Sequence, residues 1–151
     1  MTLTVAELLK DKVRQGSAPA LFSVTPDSAL ADAIKTMVEK EISSVLVTDG
    51  DKLAGLITLR ELLVGLNTHG GALTNAKCRA VMKANPAVAK LDDTVDHLRA
   101  LMTELHITHV PVIDQDKLVG ILSFFDIARN AIKDVDFENK LLKQYIRNWP
   151  A

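Results

Sequence analysis

Hydrophobic residues fall at two spacings along this chain, and the order in which the spacings alternate occurs twice. Apolar side chains recur at Leu30, Ala33, Ile34, Met37 and Val38, and again at Val95, Leu98, Leu101, Met102 and Leu105, the three-and-four spacing of amphipathic helices. Asp27-Ser28 and Asp92-Asp93-Thr94 stand just upstream and offer short polar acceptors for the free amides of a helix start. Each helical stretch gives way to a nearly continuous apolar run, Val45-Leu-Val47 or Val110-Pro-Val-Ile113. A turn follows at Asp49-Gly-Asp51 or Asp114-Gln-Asp116, then a second run, Leu53 to Ile57 or Leu118 to Leu122. Two short apolar runs around a polar turn predict a hairpin. A further helix is expected from Leu59 to Leu66 and from Phe124 to Ile132, with opening strands near Leu21 to Val24 and Ala87 to Ala89. Pro111 has no N–H for a ladder, which predicts an edge or terminal position.

The two halves match residue for residue. Ile42-Ser-Ser-Val45-Leu-Val47-Thr-Asp49-Gly-Asp51-Lys52-Leu53-Ala-Gly55-Leu-Ile-Thr58-Leu-Arg-Glu61 returns as Ile107-Thr-His-Val110-Pro-Val112-Ile-Asp114-Gln-Asp116-Lys117-Leu118-Val-Gly120-Ile-Leu-Ser123-Phe-Phe-Asp126, at an offset of 65 without insertion or deletion. A tandem repeat predicts two similar units packed about a pseudo-twofold axis, with two similar clefts between them. The fold expected is a mixed α+β (α/β) module of two units, each strand, helix, strand, strand, helix. Residues 1–66 form the first unit, 67–76 a polar linker with two glycines, 77–132 the second unit, and 133–151 a C-terminal amphipathic helix. Val5-Ala-Glu-Leu-Leu9 also returns, more weakly, as Cys78-Arg-Ala-Val-Met82, at an offset eight residues longer. That difference places an extra loop at Val13 to Pro19.

Composition narrows the function. With 151 residues, 48% of them hydrophobic, and a formal net charge of −1, the chain can bury a core and is too balanced to be disordered. A pI near 6.4 without clustered Lys or Arg argues against binding a nucleic-acid polymer. The N-terminus lacks a basic and then apolar leader, and no apolar run is long enough to span a bilayer, so a cytoplasmic protein without membrane contact is expected. Cys78 is the one cysteine, which excludes an internal disulfide and reads as a small, reduced, partly buried side chain. His106 and His109 straddle a helix end and a strand start with no carboxylate or cysteine in ligand spacing, so no metal site is expected. Nor does any serine, cysteine or lysine stand in a nucleophile arrangement, so no catalytic residue is assigned and the chain is read as a non-enzyme.

The pattern Gly120-Ile-Leu-Ser123-Phe-Phe-Asp126, preceded by His109-Val-Pro-Val-Ile-Asp114, resembles the cystathionine-beta-synthase (CBS) domain, and the chain looks like a stand-alone tandem CBS pair from Val5 to Ile132. The first copy departs from the pattern at Leu46, where proline is expected, and at Glu61, where aspartate is expected. The resemblance implies a disc-shaped module, often a homodimer, whose clefts bind an adenosyl ligand such as AMP, ADP, ATP or S-adenosylmethionine, with no required cofactor. It also implies regulation of a separate partner protein. Carried over residue by residue, it implies a stronger site of Phe22, Ser23, Ile42, Ser44, Thr108, Ser123 and Asp126. A weaker, pseudo-symmetric site would hold Ser43, Thr58, Glu61, Ala87, Val88, Ile107 and His109. The alternative is a ligand-free interaction module acting through dimerisation and its C-terminal helix.

The chemistry at those positions has a physical basis. A glycine-containing strand running into a helix lets backbone approach a ligand, and the first amides of the helix favour a phosphate. An acidic residue three positions on can accept hydrogen bonds from ribose hydroxyls, and Asp126 is the expected acceptor. Ser/Thr-x-x-Asp/Glu is equally a capping box, in which the acid bonds the amide of the cap residue. The longer Glu61 is therefore expected to cap and the shorter Asp126 to remain freer, leaving one competent site. A phosphate beside His109 would favour its charged form. Lys52 and Lys117 read as solvated turn charges, and Met37 and Met102 as core. In the tail, Phe137, Leu141, Leu142, Tyr145, Ile146 and Trp149 share one helix face behind a cap at Asp136. Packing on its own module or a dimer mate is the preferred role of that face, with a target-binding helix as the alternative.

Overall fold

A computed structural model describes residues 3–14 and 21–147. The chain forms α1 (Val5–Arg14), β1 (Ser23–Val24), α2 (Leu30–Glu39), β2 (Ser44–Asp49), β3 (Lys52–Thr58), α3 (Leu59–His69), α4 (Cys78–Val81), β4 (Lys83–Ala84), β5 (Ala89–Lys90), α5 (Val95–Leu105), β6 (His109–Asp114), β7 (Lys117–Ser123) and α6 (Phe124–Arg147). The strands form two sheets, one in each expected unit apart from β4, which joins the first. One has the order β1-β2-β3-β4 and the other β5-β6-β7, with β1 parallel to β2, β5 parallel to β6, and each hairpin antiparallel. Residues 67–76 are structured rather than open linker: α3 runs through His69, and a 3₁₀ turn over Gly70–Asn75 buries Leu73.

Both hairpins close through two-residue loops, Asp49↔Lys52 and Asp114↔Lys117. Such loops need positive φ to match the strand twist. Gly50 supplies it at 62° without strain, whereas the second loop holds Gln115 at 49° and Asp116 at 63°. Pro111 is not on an edge strand, since β6 lies between β5 and β7. It is tolerated because β5 is only two residues long and pairs with Val112 and Ile113, stopping short of Pro111. At the matching position of the first copy, the Leu46 amide donates to the Phe22 carbonyl at 3.1 Å, a bond a proline cannot make.

The two cores do not follow the sequence halves. Val5 and Leu8 of α1 pack with Val95, Leu98, Met102, Val110, Val112, Leu122 and Ile127 of the second half. Cys78 and Val81 of α4 pack with Leu30, Ala33, Val47 and Ile57 of the first half. Backbone bonds stitch each crossing: Val5 N to Asp93 O at 2.8 Å, Val95 N to Leu3 O at 2.9 Å, Leu30 N to Ala76 O and Cys78 N to Ser28 O, both at 2.9 Å. Leu30 therefore has its amide answered by the other half's lead-in segment, and α2 has no side-chain cap. Asp27 instead pairs with Arg79, and Ser28 closes a turn with Thr25. Thr94 does cap α5, accepting from the His97 amide at 3.0 Å. Met37 and Met102 are buried as expected, Lys52 and Lys117 are exposed, and Cys78 is wholly buried.

Two further expectations are corrected. Val13 and Arg14 belong to α1 rather than to an extra loop; the remainder of that loop, residues 15–19, lies outside the described residues. The C-terminal segment is not a separate helix behind an Asp136 cap, because α6 is continuous over 24 residues from Phe124 to Arg147. No glycine or proline interrupts that stretch, so nothing ends the helix at 132. Trp149 lies outside the described residues.

The two strand glycines that face the lead-in helices differ in what opposes them. A Cβ on Gly55 would sit 2.7 Å from Met82 Sδ and 2.9 Å from the Lys83 carbonyl, whereas one on Gly120 would meet only the Leu9 side-chain tip, at 2.9 Å. Backbone cannot yield as a Leu rotamer can, so Gly55→Ala is expected to lose about 1–3 kcal/mol and Gly120→Ala distinctly less. Urea midpoints of the two variants check this, and equal losses would contradict it.

Candidate functional site

Two clefts lie between the halves, and the helix starts of α3 and α6 form one wall of each. The first encloses about 440 Å³ and is lined by Leu9, Lys12 and Val13 of α1, Leu21, Phe22, residues 41–44, Leu46, His109, residues 119–121, Ser123, Asp126 and Arg129. The second encloses about 610 Å³ and is lined by Leu56, Thr58, Arg60, Glu61, Lys83, residues 85–87 and residues 105–109. Of the stronger expected site, Phe22, Ile42, Ser44, Ser123 and Asp126 come together in the first cleft. Of the weaker site, Thr58, Glu61, Ala87, Ile107 and His109 come together in the second. Ser43 and Thr108 are exchanged: Ser43 lines the first cleft and Thr108 the second. Each cleft takes a three-residue strand entry, 42–44 or 107–109, and the first takes His109 of the other entry besides. Ser23 and Val88 line neither, because each follows or flanks an inward residue on extended chain and points the other way.

His109 lines both clefts. Its Nε2 lies 3.0 Å from Ser43 Oγ and its Nδ1 2.8 Å from Thr108 Oγ1, so one neutral ring, with one donor and one acceptor nitrogen, satisfies both hydroxyls. Burial pushes the imidazole below its ordinary value and the Lys12 ammonium pushes the same way, with Asp126 and Glu61 opposing. Low dielectric and a nearby cation both disfavour the second proton.

The helix starts carry the acid chemistry, and the expected contrast between them is overturned. Glu61 caps as anticipated. Its Oε1 accepts from the Thr58 amide at 2.9 Å and from the Thr58 hydroxyl at 2.6 Å, and Thr58 Oγ1 accepts from the Arg60 amide at 3.2 Å. Asp126 is not free either. Oδ2 accepts from the Ser123 amide at 2.8 Å and the Ser123 hydroxyl at 3.1 Å, while Ser123 Oγ accepts from the Asp126 amide at 3.2 Å. A shorter acid closes the box because the helix start itself brings Cβ close to the cap residue.

Asp126 is also the more heavily engaged of the two. Lys12 Nζ sits 2.9 Å from Oδ2 and donates to the Ile121 carbonyl at 3.0 Å, and Arg129 reaches Oδ1 at 2.7 Å. Burial pushes the carboxyl up, yet the Ser123 amide, the bond and charge of Lys12 and the Ser123 hydroxyl together hold it below its ordinary range. Sequence reasoning missed both cations. Arg129 was legible three residues after Asp126 on one helix face. Lys12 was legible only by extending the Val5, Leu8, Leu9 stripe by one more turn. Phe22 adds an aromatic wall, with Lys40 Nζ 5.7 Å from its ring centre.

Two similar units, with paired clefts at capped helix starts, make up a tandem, pseudo-symmetric module. The CBS-domain family matches residues 17–67 and 78–133, and the chain belongs to that family as a tandem CBS pair. It is 28% identical over 149 residues, 95% of this chain and 72% of the relative, to the mitochondrial CBS domain-containing protein CBSX3 of Arabidopsis thaliana. The solved structure of a protein with CBS domains from Burkholderia ambifaria superposes with a TM-score of 0.78 at 34% identity, covering 87% of this chain and 95% of that one. The CBS domain pair of protein MJ0100, solved with 5-methylthioadenosine and S-adenosyl-L-methionine, shares the fold at a TM-score of 0.74 and 23% identity, over 89% and 99% of the two chains. Larger enzymes match in part: the chain covers 25% of an inosine-5'-monophosphate dehydrogenase from Nitrosopumilus maritimus, at 31% identity over 129 residues.

The two perturbed groups separate stability into two pH windows. Because the His109 pKa is depressed in the fold, the unfolded chain binds a proton below about pH 6.5 that the folded chain refuses, so stability falls as pH drops through that window. The Asp126 pKa is also depressed, and its contribution is complete above about pH 4 and is lost as pH falls through the folded value. In urea titrations against pH, His109→Gln is expected to flatten the decline below about 6.5 and Asp126→Asn the decline below about 4. A His109→Gln profile with the wild-type slope between those limits would count against a buried neutral ring.

Proposed function

We propose that the chain is a non-catalytic sensor whose first cleft takes an adenosyl ligand, AMP, ADP, ATP or S-adenosylmethionine, and which transmits occupancy to a separate partner protein. The observation that carries this reading is the composition of the first cleft. An apolar and aromatic wall of Phe22, Ile42 and Leu46 suits a purine, and it faces a capped helix start with Ser123, Asp126, Lys12 and Arg129, which suits a ribose and an anionic group. The adenosyl compounds held by the MJ0100 pair support it by showing that this fold accommodates them.

Asp126 Oδ2 already accepts three hydrogen bonds, whereas Oδ1 accepts one from Arg129. A ribose donating two hydrogen bonds to this carboxylate would therefore compete with the donors already on it, Lys12 among them. Lys12 lies on α1, and α1 is built into the second core, so ligand entry would alter the seating of a helix that holds the two halves together. A ligand favours the arrangement it binds better by its difference in affinity, and no more. The protein is further read as a homodimer: Leu59 and Leu63 on α3 and Phe124 and Phe125 on α6 stay exposed, at or beside matching positions of the repeat.

A ligand-free interaction module is the second reading, favoured by one observation: the Lys12–Asp126–Arg129 cluster fills the anionic corner with the chain's own cations.

Thermal unfolding with each adenosyl ligand separates the readings. At a hundred times its dissociation constant a ligand adds about 2.7 kcal/mol of stability. The wild-type shift is expected to vanish in Asp126→Asn, each variant being compared with its own ligand-free melt, and to persist in Glu61→Gln. No shift with any of the compounds would leave the interaction module standing.

A further inference from the structure

From the exposed face of α6 we infer that its C-terminal half is one strand of a parallel, two-stranded coiled coil with a second copy of this chain. The inference rests on the homodimer reading above and assigns it a surface. Ala128, Ile132, Asn139, Leu142 and Ile146 fall at steps of four, seven, three and four residues, and Val135 fills the remaining step in the sequence. That is the alternating four-and-three repeat of a coiled-coil seam, with Ile132, Asn139 and Ile146 seven residues apart at one core position and Ala128, Val135 and Leu142 at the other.

Among the described residues, the seam side chains beyond Ala128 are left uncovered. Ile132 is 61% exposed, Leu142 58% and Ile146 69%, and Asn139 is exposed between them. Of the two places expected for this face, its own module or a dimer mate, the exposure of these residues favours the mate. The helix needs no partner in order to form, because its first turns are capped by Ser123 and anchored in the core through Ile127, which removes the nucleation cost an isolated segment of this length would face.

Three features select a like partner and its direction. Isoleucine at two of the three first core positions, with Leu142 between Asn139 and Ile146 at the second, is the arrangement that favours two strands. A single asparagine in an otherwise apolar seam is satisfied best by the same asparagine of an in-register mate, and so specifies register. The flanking positions of the sequence are Glu138 and Lys143, which oppose each other between chains only when the strands run parallel.

Sedimentation of the full chain, combined with disulfide trapping, tests the inference. Ile146→Cys is expected to give a covalent dimer on mild oxidation. In a parallel pair the two positions are adjacent, whereas an antiparallel pair centred on Asn139 would hold them roughly 20 Å apart. Wild type, whose only cysteine is the buried Cys78, should give none. Ile132→Asp with Leu142→Asp should move the wild-type dimer to monomer mass without lowering the melting temperature of the monomeric module. Asn139→Ile should associate more tightly but as a mixture of masses. A dimer that survives the Asp pair and gives no Ile146→Cys cross-link would overturn the coiled coil and leave the homodimer intact. A wild type that stays monomeric would overturn both, leaving the α6 face to another protein.

Discussion

The exchange of lead-in helices between the two halves is the constraint on which the rest of the molecule depends. Val5 and Leu8 are core residues of the second half, while Cys78 and Val81 are core residues of the first. Full burial of such a side chain contributes roughly 1.5–3 kcal/mol, so separating the halves would strip each core of several kcal/mol and strand the amides of Val5, Val95, Leu30 and Cys78. Neither half is a folding unit with a complete core of its own. The clefts exist because this exchange holds the two hairpins at a fixed distance, with the α3 and α6 starts facing the strand entries of both copies.

The exchange is not symmetric, and the asymmetry differentiates the clefts. α4 ends after four residues because the chain turns out into β4, which pairs with β3 through Gly55↔Ala84, and then meets Asn85-Pro86. α1 meets no such stop and runs ten residues, far enough for Lys12 to reach Asp126. The first cleft thereby acquires Lys12 beside the Arg129 of α6, which leaves a saturated carboxylate oxygen, and the second keeps a Glu61 engaged through its own cap. His109 stands between them, bonded through both ring nitrogens to hydroxyls at equivalent positions of the repeat. A charge introduced into the first cleft would be felt by a ring that also lines the second.

α6 serves two structures at once. Its first turns close the core through Ile127 and the site through Asp126 and Arg129, while the turns beyond Ile132 carry an apolar stripe outward. Because no residue in between breaks the helix, any partner of that stripe is joined rigidly to the wall of the first cleft. Ligand occupancy and association would then share one mechanical element, as coupling between two sites requires.

Much of this was legible in the residues themselves. The 65-residue repeat, the hairpins, the helix spacing and both capping boxes follow from contacts between neighbours in sequence, and Ser123-x-x-Asp126 and Thr58-x-x-Glu61 fold as their local pattern says. What was not legible depends on which copy packs against which. The place of Pro111 was set by the shortness of β5, and the exchange of Ser43 and Thr108 between clefts by the docking of whole strand entries. The engagement of Asp126 was set by a lysine 114 positions away in sequence. Local spacing determined the elements and their chemistry. Only tertiary structure decided which cations face which acids, because charge pairing depends on distance in space, and that distance was set by the crossing of α1 into the other half's core.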